Sequence, residues 1–302
     1  MKILILVANS NFYPSNIMIP FLRRTWGKDE RVRVIYYQGG SKNDYLKGDR
    51  LYLNAGTTID DTLEKLLSAY EWVNKNIEFD YIFRTTTTTY LDIENFINFL
   101  NKNKNKKLYS GVYMPHAIVN NKVEKIRFLS GAGFFTSKDI VNLLLSNKEK
   151  LLQYGLWDDV GIGKLLIEEM KITINEGFRQ DFYDGYPLTK KINTENYHYR
   201  FSSGKLYYPR YLEVLTLLSL HFRMNSIKNN RKFSLSLFRL SDIFFVIIYE
   251  ILKYLNPRLI ILNLRKLNKK KNKLIVAVIK SNQITLRLFK KIKKITKFKN
   301  FK

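Results

Sequence analysis

Two stretches of the chain hold side chains whose types and spacing could do chemistry. Arg84-Thr85-Thr86-Thr87-Thr88-Thr89 places one guanidinium before five hydroxyls, directly after the apolar Tyr81-Ile82-Phe83. Trp157-Asp158-Asp159-Val160-Gly161 places two adjacent carboxylates before small and apolar residues. An arginine fork grips phosphate oxygens bidentately, and a positioned carboxylate can take a proton from an attacking hydroxyl. Each stretch also has a plainer reading. Threonine favours extended backbone, so the run could simply prolong a strand. Paired acids at a helix start cap it and complement its dipole.

The elements that must position these groups read as α/β. Tyr81 to Phe83 has the content of a buried strand, with a helix expected before it (residues 62–76) and another after it (92–101). The polar run then lies on a strand-to-helix connection at the carboxyl end of the strand, where open α/β sheets bind ligands. Ile3 to Ala8 reads as an inner parallel strand, and the loop that follows makes Asn9 a candidate nucleotide contact. Val32 to Gln38 is predicted as a second strand, 39–49 as a polar loop and 51–53 as a short strand. The apolar stripe Leu63, Leu66, Leu67, Tyr70 and Val73 marks a helix whose residues are expected to be structural. Gly131-Ala132-Gly133 is expected to form a small-residue turn before a strand, allowing backbone to approach a ligand, though a bulge needs glycines equally. Further on, 171–175 reads as a strand, 178–186 as an irregular aromatic loop, 197–200 as a short strand and 212–222 as an apolar helix.

Several motifs, taken in chain order, carry a resemblance. Arg23-Arg24-Thr25-Trp26-Gly27, Phe79-Asp80-Tyr81-Ile82-Phe83-Arg84-Thr85, Tyr109-Ser110-Gly111, the segment Phe128 to Phe134, and Asp158-Asp159-Val160 with Gly163 are similar to segments of bacterial-type β-1,3-glycosyltransferases of the galactosyltransferase and Fringe group, glycosyltransferase family 31. The likeness covers roughly the first 200 residues. It implies a GT-A (Rossmann-like) domain with a mixed, mostly parallel central sheet. It also implies a nucleotide-sugar donor, usually a uridine diphosphate sugar, and inversion at the anomeric carbon by direct displacement. On this resemblance Asp159 is the general base and Asp158 its neighbour or a hydrogen-bonding partner for the acceptor. Asn9, Arg84, Thr86, Thr87, Thr88, Gly131, Gly133, His198 and Arg200 would meet the donor. The late His198 reads equally as a core residue.

This chain departs from the family pattern at the metal site, where Thr86, Thr87 and Thr88 replace aspartates. A divalent Mn or Mg ion prefers carboxylate oxygen, and neutral hydroxyls bring no charge to hold it. No metal ligand can be named. Two outcomes follow: a metal-independent transferase in which Arg84 or Arg200 neutralises the diphosphate, or a chain that has lost catalysis.

Composition bounds the rest. The 302 residues include no cysteine, which excludes a disulfide scaffold and thiol chemistry. Lys and Arg number 52 against 26 Asp and Glu, a net charge of +26, and Glu250 is the last acidic residue. The chain is therefore expected to divide into a catalytic domain, 1–225, and a helical, basic C-terminal extension, 226–302. In the extension Ile284, Leu286, Leu288, Phe289, Ile292, Ile295 and Phe298 alternate with Arg287, Lys290, Lys291, Lys293, Lys294 and Lys297, a pattern suited to an anionic membrane interface. The expectation is a cytoplasmic enzyme, peripheral at the inner face of the membrane. It would act on a glycan or lipid-linked acceptor, with no nucleic acid as partner. The competing reading is a non-catalytic basic protein that binds nucleic acid or anionic membrane through its tail.

Overall fold

The computed structural model describes residues 1–10, 15–182, 191–201 and 212–230. The basic extension, including the amphipathic segment 284–298, lies outside the described residues.

Continuous apolar runs build the central strands, as they must in a sheet covered on both faces. The strands are β1 (Ile3–Ala8), β2 (Arg33–Gln38), β3 (Tyr45–Lys47), β4 (Arg50–Tyr52), β5 (Tyr81–Thr86), β6 (Thr89–Leu91), β7 (Tyr109–Met114), β8 (Ala117–Val119), β9 (Lys122–Glu124), β10 (Phe128–Ser137), β11 (Asn175–Glu176), β12 (Arg179–Phe182) and β13 (His198–Phe201). The helices are α1 (Ser15–Arg24), α2 (Thr62–Asn76), α3 (Ile93–Asn103), α4 (Lys138–Ser146), α5 (Lys148–Gln153), α6 (Asp158–Gly163) and α7 (Leu212–Lys228). A π-helical segment, Lys164–Glu169, follows α6 directly.

Eight strands form the main sheet in the order β11-β7-β10-β5-β1-β2-β4-β3. β5, β1, β2 and β4 run parallel, β10 lies antiparallel between β5 and β7, and β3 is an antiparallel edge. This is an α/β fold with the mixed, mostly parallel sheet that the motifs imply. A smaller sheet, β12-β13-β6, and the hairpin β8-β9 stand beside it.

Residues two apart on a strand share a face, and this decides where the chemistry points. The register sets Leu4 beside Ile82 and Leu6 beside Arg84. Leu4, Leu6 and Ile82 pack in one core with Leu63, Leu66 and Leu67 of α2 and Ile162 of α6. Arg84 therefore emerges on the face covered by α2 and α6. Phe83 and Thr85 point the other way. There Phe83 packs against Phe96, Phe135 and Tyr197, with ring centroids 4.6–6.4 Å apart.

Several local expectations are corrected. Arg84, Thr85 and Thr86 belong to β5 itself, and only Thr87 and Thr88 make the turn into β6. The first half of the polar run thus prolongs the strand, as threonine's preference for extended backbone allows. Gly131-Ala132-Gly133 lies inside β10, which shifts register against β7 between Leu129 and Phe134: these small residues make a bulge rather than a turn. The residues 171–174 form no strand, the region of 178–186 contains β12, and β3 lies within the expected 39–49 loop. The helix expected over 212–222 is α7, which runs on to Lys228, whose ammonium pairs with Asp92 at 2.6 Å.

Candidate active site

A cleft of about 720 Å³ opens at the carboxyl ends of β1 and β5 and beside the start of α6. That is the size range of small-molecule sites. Asn9, Arg84, Thr86, Thr87, Thr88, Gly131, Asp158, Asp159 and Arg200 all line it. The fold brings nine of the eleven expected residues to one place.

The acids occupy the first turn of α6, with Trp157 as the N-cap residue. They are thus not the cap itself, though the helix dipole still favours negative charge there. Their surroundings differ. Asp158 is buried and its Oδ2 lies 2.5 Å from Nη2 of Arg84, both side chains being 5% exposed. Asp159 is partly exposed to the cleft. Its Oδ2 accepts the Gly131 N–H at 2.7 Å and its Oδ1 accepts the Val160 N–H at 2.9 Å. Burial, and then the neighbouring Asp158 charge, push its pKa up to about 6, against the pull of Arg84 and the two backbone N–H groups. A carboxylate held at both oxygens and poised near 6 has the properties of a general base.

Arg84 is not the free phosphate fork that the sequence suggests. Burial works against its charge, but Asp158, Tyr37 and Asp159 outweigh that cost and hold its pKa above the usual value. Its Nη2 pairs with Asp158, Nε and Nη1 have no hydrogen-bond partner among the described residues, and its charge lowers the pKa of Asp159. Gly131 likewise serves Asp159. A Cβ there would lie 2.7 Å from Asp159 Oδ2 and 3.2 Å from Arg84 Nη1, so glycine is what lets β10 reach the carboxylate.

The other wall is neutral. Asn9 donates from Nδ2 to Gln38 at 2.7 Å. The Thr86 and Thr88 hydroxyls lie 3.1 Å apart, and Thr87 donates to Ser15 at 3.4 Å. A divalent ion fits these residues poorly: the threonines bring no charge and Asp158 is spent on Arg84. Among the described residues no three His, Asp or Glu side chains are grouped to hold one.

Two expected donor contacts do not reach the cleft. His198 is 1% exposed, stands edge-on to Phe83 with centroids 5.5 Å apart, and faces the Thr89 hydroxyl at 3.5 Å. Burial, helped by Arg179 and Arg200, holds its pKa well below the usual value, so it is a neutral core histidine. Gly133 lies under the same ring, where a Cβ would come within 2.5 Å of His198 Cε1. Regular alternation would put Gly131 and Gly133 on one face; the register shift of β10 between Leu129 and Phe134 breaks it, so the two serve different neighbours.

The cleft also holds residues that the sequence reading passed over. Lys65 of α2, expected to be purely structural, lines it, with Nζ donating to the Thr58 carbonyl at 2.6 Å. Burial lowers its pKa. Thr57, Thr58 and Ile59 before α2 and Trp157 before α6 complete that side. Lys65 sits between apolar-stripe positions, which was the only available signal.

No protein-family model matches the chain, and no curated protein resembles it in sequence. Solved structures that share its general outline include the following three. A glycosyltransferase involved in glycosylation of the major capsid of PBCV-1 is similar at a TM-score of 0.43 and 10% identity, covering 72% of this chain and 99% of that one. A 4-diphosphocytidyl-2C-methyl-D-erythritol synthase from Anaerococcus prevotii gives 0.36 and 12%, over 58% and 86%. A 2-C-methyl-D-erythritol 4-phosphate cytidylyltransferase from Thermus thermophilus gives 0.37 and 10%, over 72% and 98%. Likeness at this level does not bear on activity, and the functional reading rests on the cleft and the motifs.

Proposed function

We propose that the chain is an inverting glycosyltransferase that moves a sugar from a nucleoside diphosphate donor, most simply a uridine diphosphate sugar, to a hydroxyl of a surface-glycan or lipid-linked acceptor. The observation that carries this reading is Asp159: a partly exposed carboxylate with a pKa near 6, fixed by two backbone N–H groups on the floor of a ligand-sized cleft. In the proposed step Asp159 accepts the proton of the acceptor hydroxyl as that oxygen attacks the anomeric carbon. The bond from that carbon to the diphosphate oxygen breaks, and the diphosphate leaves with the electron pair. A positioned base of this kind contributes about 10²–10⁴ in rate.

Charge on the leaving diphosphate must be balanced, and Lys65 and Arg200 line the cleft beside Arg84 as further cations. We assign them that task in place of a metal ion, with Thr86 to Thr88 as hydroxyl donors. The basic segment 284–298 would hold the enzyme at an anionic membrane face, near a lipid-linked acceptor. Among the described residues no helix is long and apolar enough to cross a membrane.

The test is nucleotide release and transfer across a panel of nucleotide-sugar donors, in chelator and with manganese, for the wild type and Asp159→Asn. Turnover that persists in chelator and collapses in the variant is the expected result. Strict manganese dependence would remove the roles given to Lys65 and Arg200. Absence of turnover with every donor would overturn the transferase reading.

A further inference from the structure

The mouth of the cleft exposes two large apolar side chains. Trp157 is 45% exposed and Ile59 is 66% exposed, and both line the cavity that holds Asp159. What sets them apart from other exposed apolar side chains is their place in that cavity, where they offer a ligand apolar contact. The indole is not loose: its Nε1–H donates to Asp60 Oδ1 at 3.2 Å. The loop beneath is fixed too, because Asp61 Oδ2 accepts both the backbone N–H and the hydroxyl of Thr58, at 2.7 and 2.6 Å.

We infer that Trp157 and Ile59 form the acceptor subsite and take the apolar face of a pyranose ring, with Asp60 at its edge to receive ring hydroxyls. This rests on the transferase reading above. A rigid aromatic plane offers a large contact at low entropic cost, and carboxylates at its rim suit hydroxyl donors. The choice of acceptor over nucleotide base follows from the chain. Trp157 is the N-cap of the helix whose second residue is Asp159, so a ring stacked on it presents its hydroxyl to that base. The candidate nucleotide contact, Asn9, lines the same cleft but follows β1 instead of preceding α6.

Trp26 is buried and Trp72 only partly exposed, so acrylamide quenching of tryptophan fluorescence reports chiefly on Trp157. The probes are the methyl β-pyranosides of glucose, galactose and N-acetylglucosamine, with uridine as the competing class. At least one glycoside is expected to shield the wild type from acrylamide, uridine is not, and Trp157→Phe should lose the shielded signal. In transfer assays Trp157→Ala should raise the half-saturating glycoside concentration about tenfold while the half-saturating donor concentration moves less than about twofold, with Trp157→Phe restoring most of the loss. Glycosides that leave quenching unchanged, shielding by uridine instead, or an effect of Trp157→Ala on the donor alone would each overturn the assignment. Shielding without turnover of any donor would sink the transferase reading but keep the sugar subsite. Turnover with an unshielded Trp157 would sink the subsite alone.

Discussion

Replacing Arg84 with methionine removes the guanidinium that lies 2.5 Å from Asp158, in a place where both side chains are 5% exposed. Breaking a buried ion pair by deleting one partner costs about 3–5 kcal/mol, mostly from the charge left behind, whereas apolar replacement of both partners is close to neutral. Arg84→Met leaves Asp158 and Asp159 side by side without their cation. Asp159 already has its pKa pushed up to about 6, so one acid can shed the cost by keeping a proton. The folded-state pKa of Asp159 then rises further above that of the unfolded chain. A group raised in this way stabilises the fold below its unfolded pKa and loses that contribution as pH climbs, so the deficit should grow from about pH 4 upward. Asp158→Leu leaves a guanidinium that cannot discharge, and its deficit, about 3–5 kcal/mol, should vary less with pH. The double variant Arg84→Met/Asp158→Leu should lie within about 1–2 kcal/mol of wild type. Urea denaturation of the four proteins at about pH 5 and about pH 7.5 closes the cycle. Single variants as stable as wild type, or a double variant whose loss is the sum of the two, would refute the reasoning.

Three further outcomes follow from the geometry. Gly131→Ala places a methyl 2.7 Å from Asp159 Oδ2, so it should cut transfer about 100-fold by displacing the carboxylate, read as turnover at saturating substrate. Gly133→Ala meets His198 Cε1 at 2.5 Å and Phe83 Cζ at 2.6 Å, so it should cost about 1–3 kcal/mol in denaturant unfolding by overpacking. His198 stays neutral in the fold while the unfolded chain takes up a proton, so its contribution is present above about pH 6.5 and lost on acidification, at about 1.4 kcal/mol per pH unit. Unfolding measured from about pH 7 to about pH 5 should show a shallower loss in His198→Leu than in wild type.

Periodicity carried the architecture well. The apolar run Ile3–Ala8 and the stripe from Leu63 to Val73 lie where alternation and helical spacing put them, because burial of an uninterrupted apolar face leaves few alternatives. The short strands were less legible. β11 and β12 carry Asn175, Glu176, Arg179, Gln180 and Asp181, polar residues whose extended form is imposed by β7 and β13 rather than by local preference. In the site, spacing and residue type indicated which groups gather but not which way they face. Arg84 looks like a phosphate ligand in sequence and is an internal counterion in the fold. His198 was separable from the cleft only once its strand was set against β6. Lys65 and Trp157 escaped notice because one lies within an apolar stripe and the other before a pair of acids.

If Asp159 works as a base with a raised pKa, the pH dependence of transfer shows it. With a donor that turns over, the rate at limiting substrate should fall on the acid side of about pH 6, the pKa set by burial and Asp158. Asp159→Asn should remove that limb together with about 10²–10⁴ of the rate. A profile level from about pH 5 to about pH 8, or an Asp159→Asn variant as fast as wild type, would contradict it.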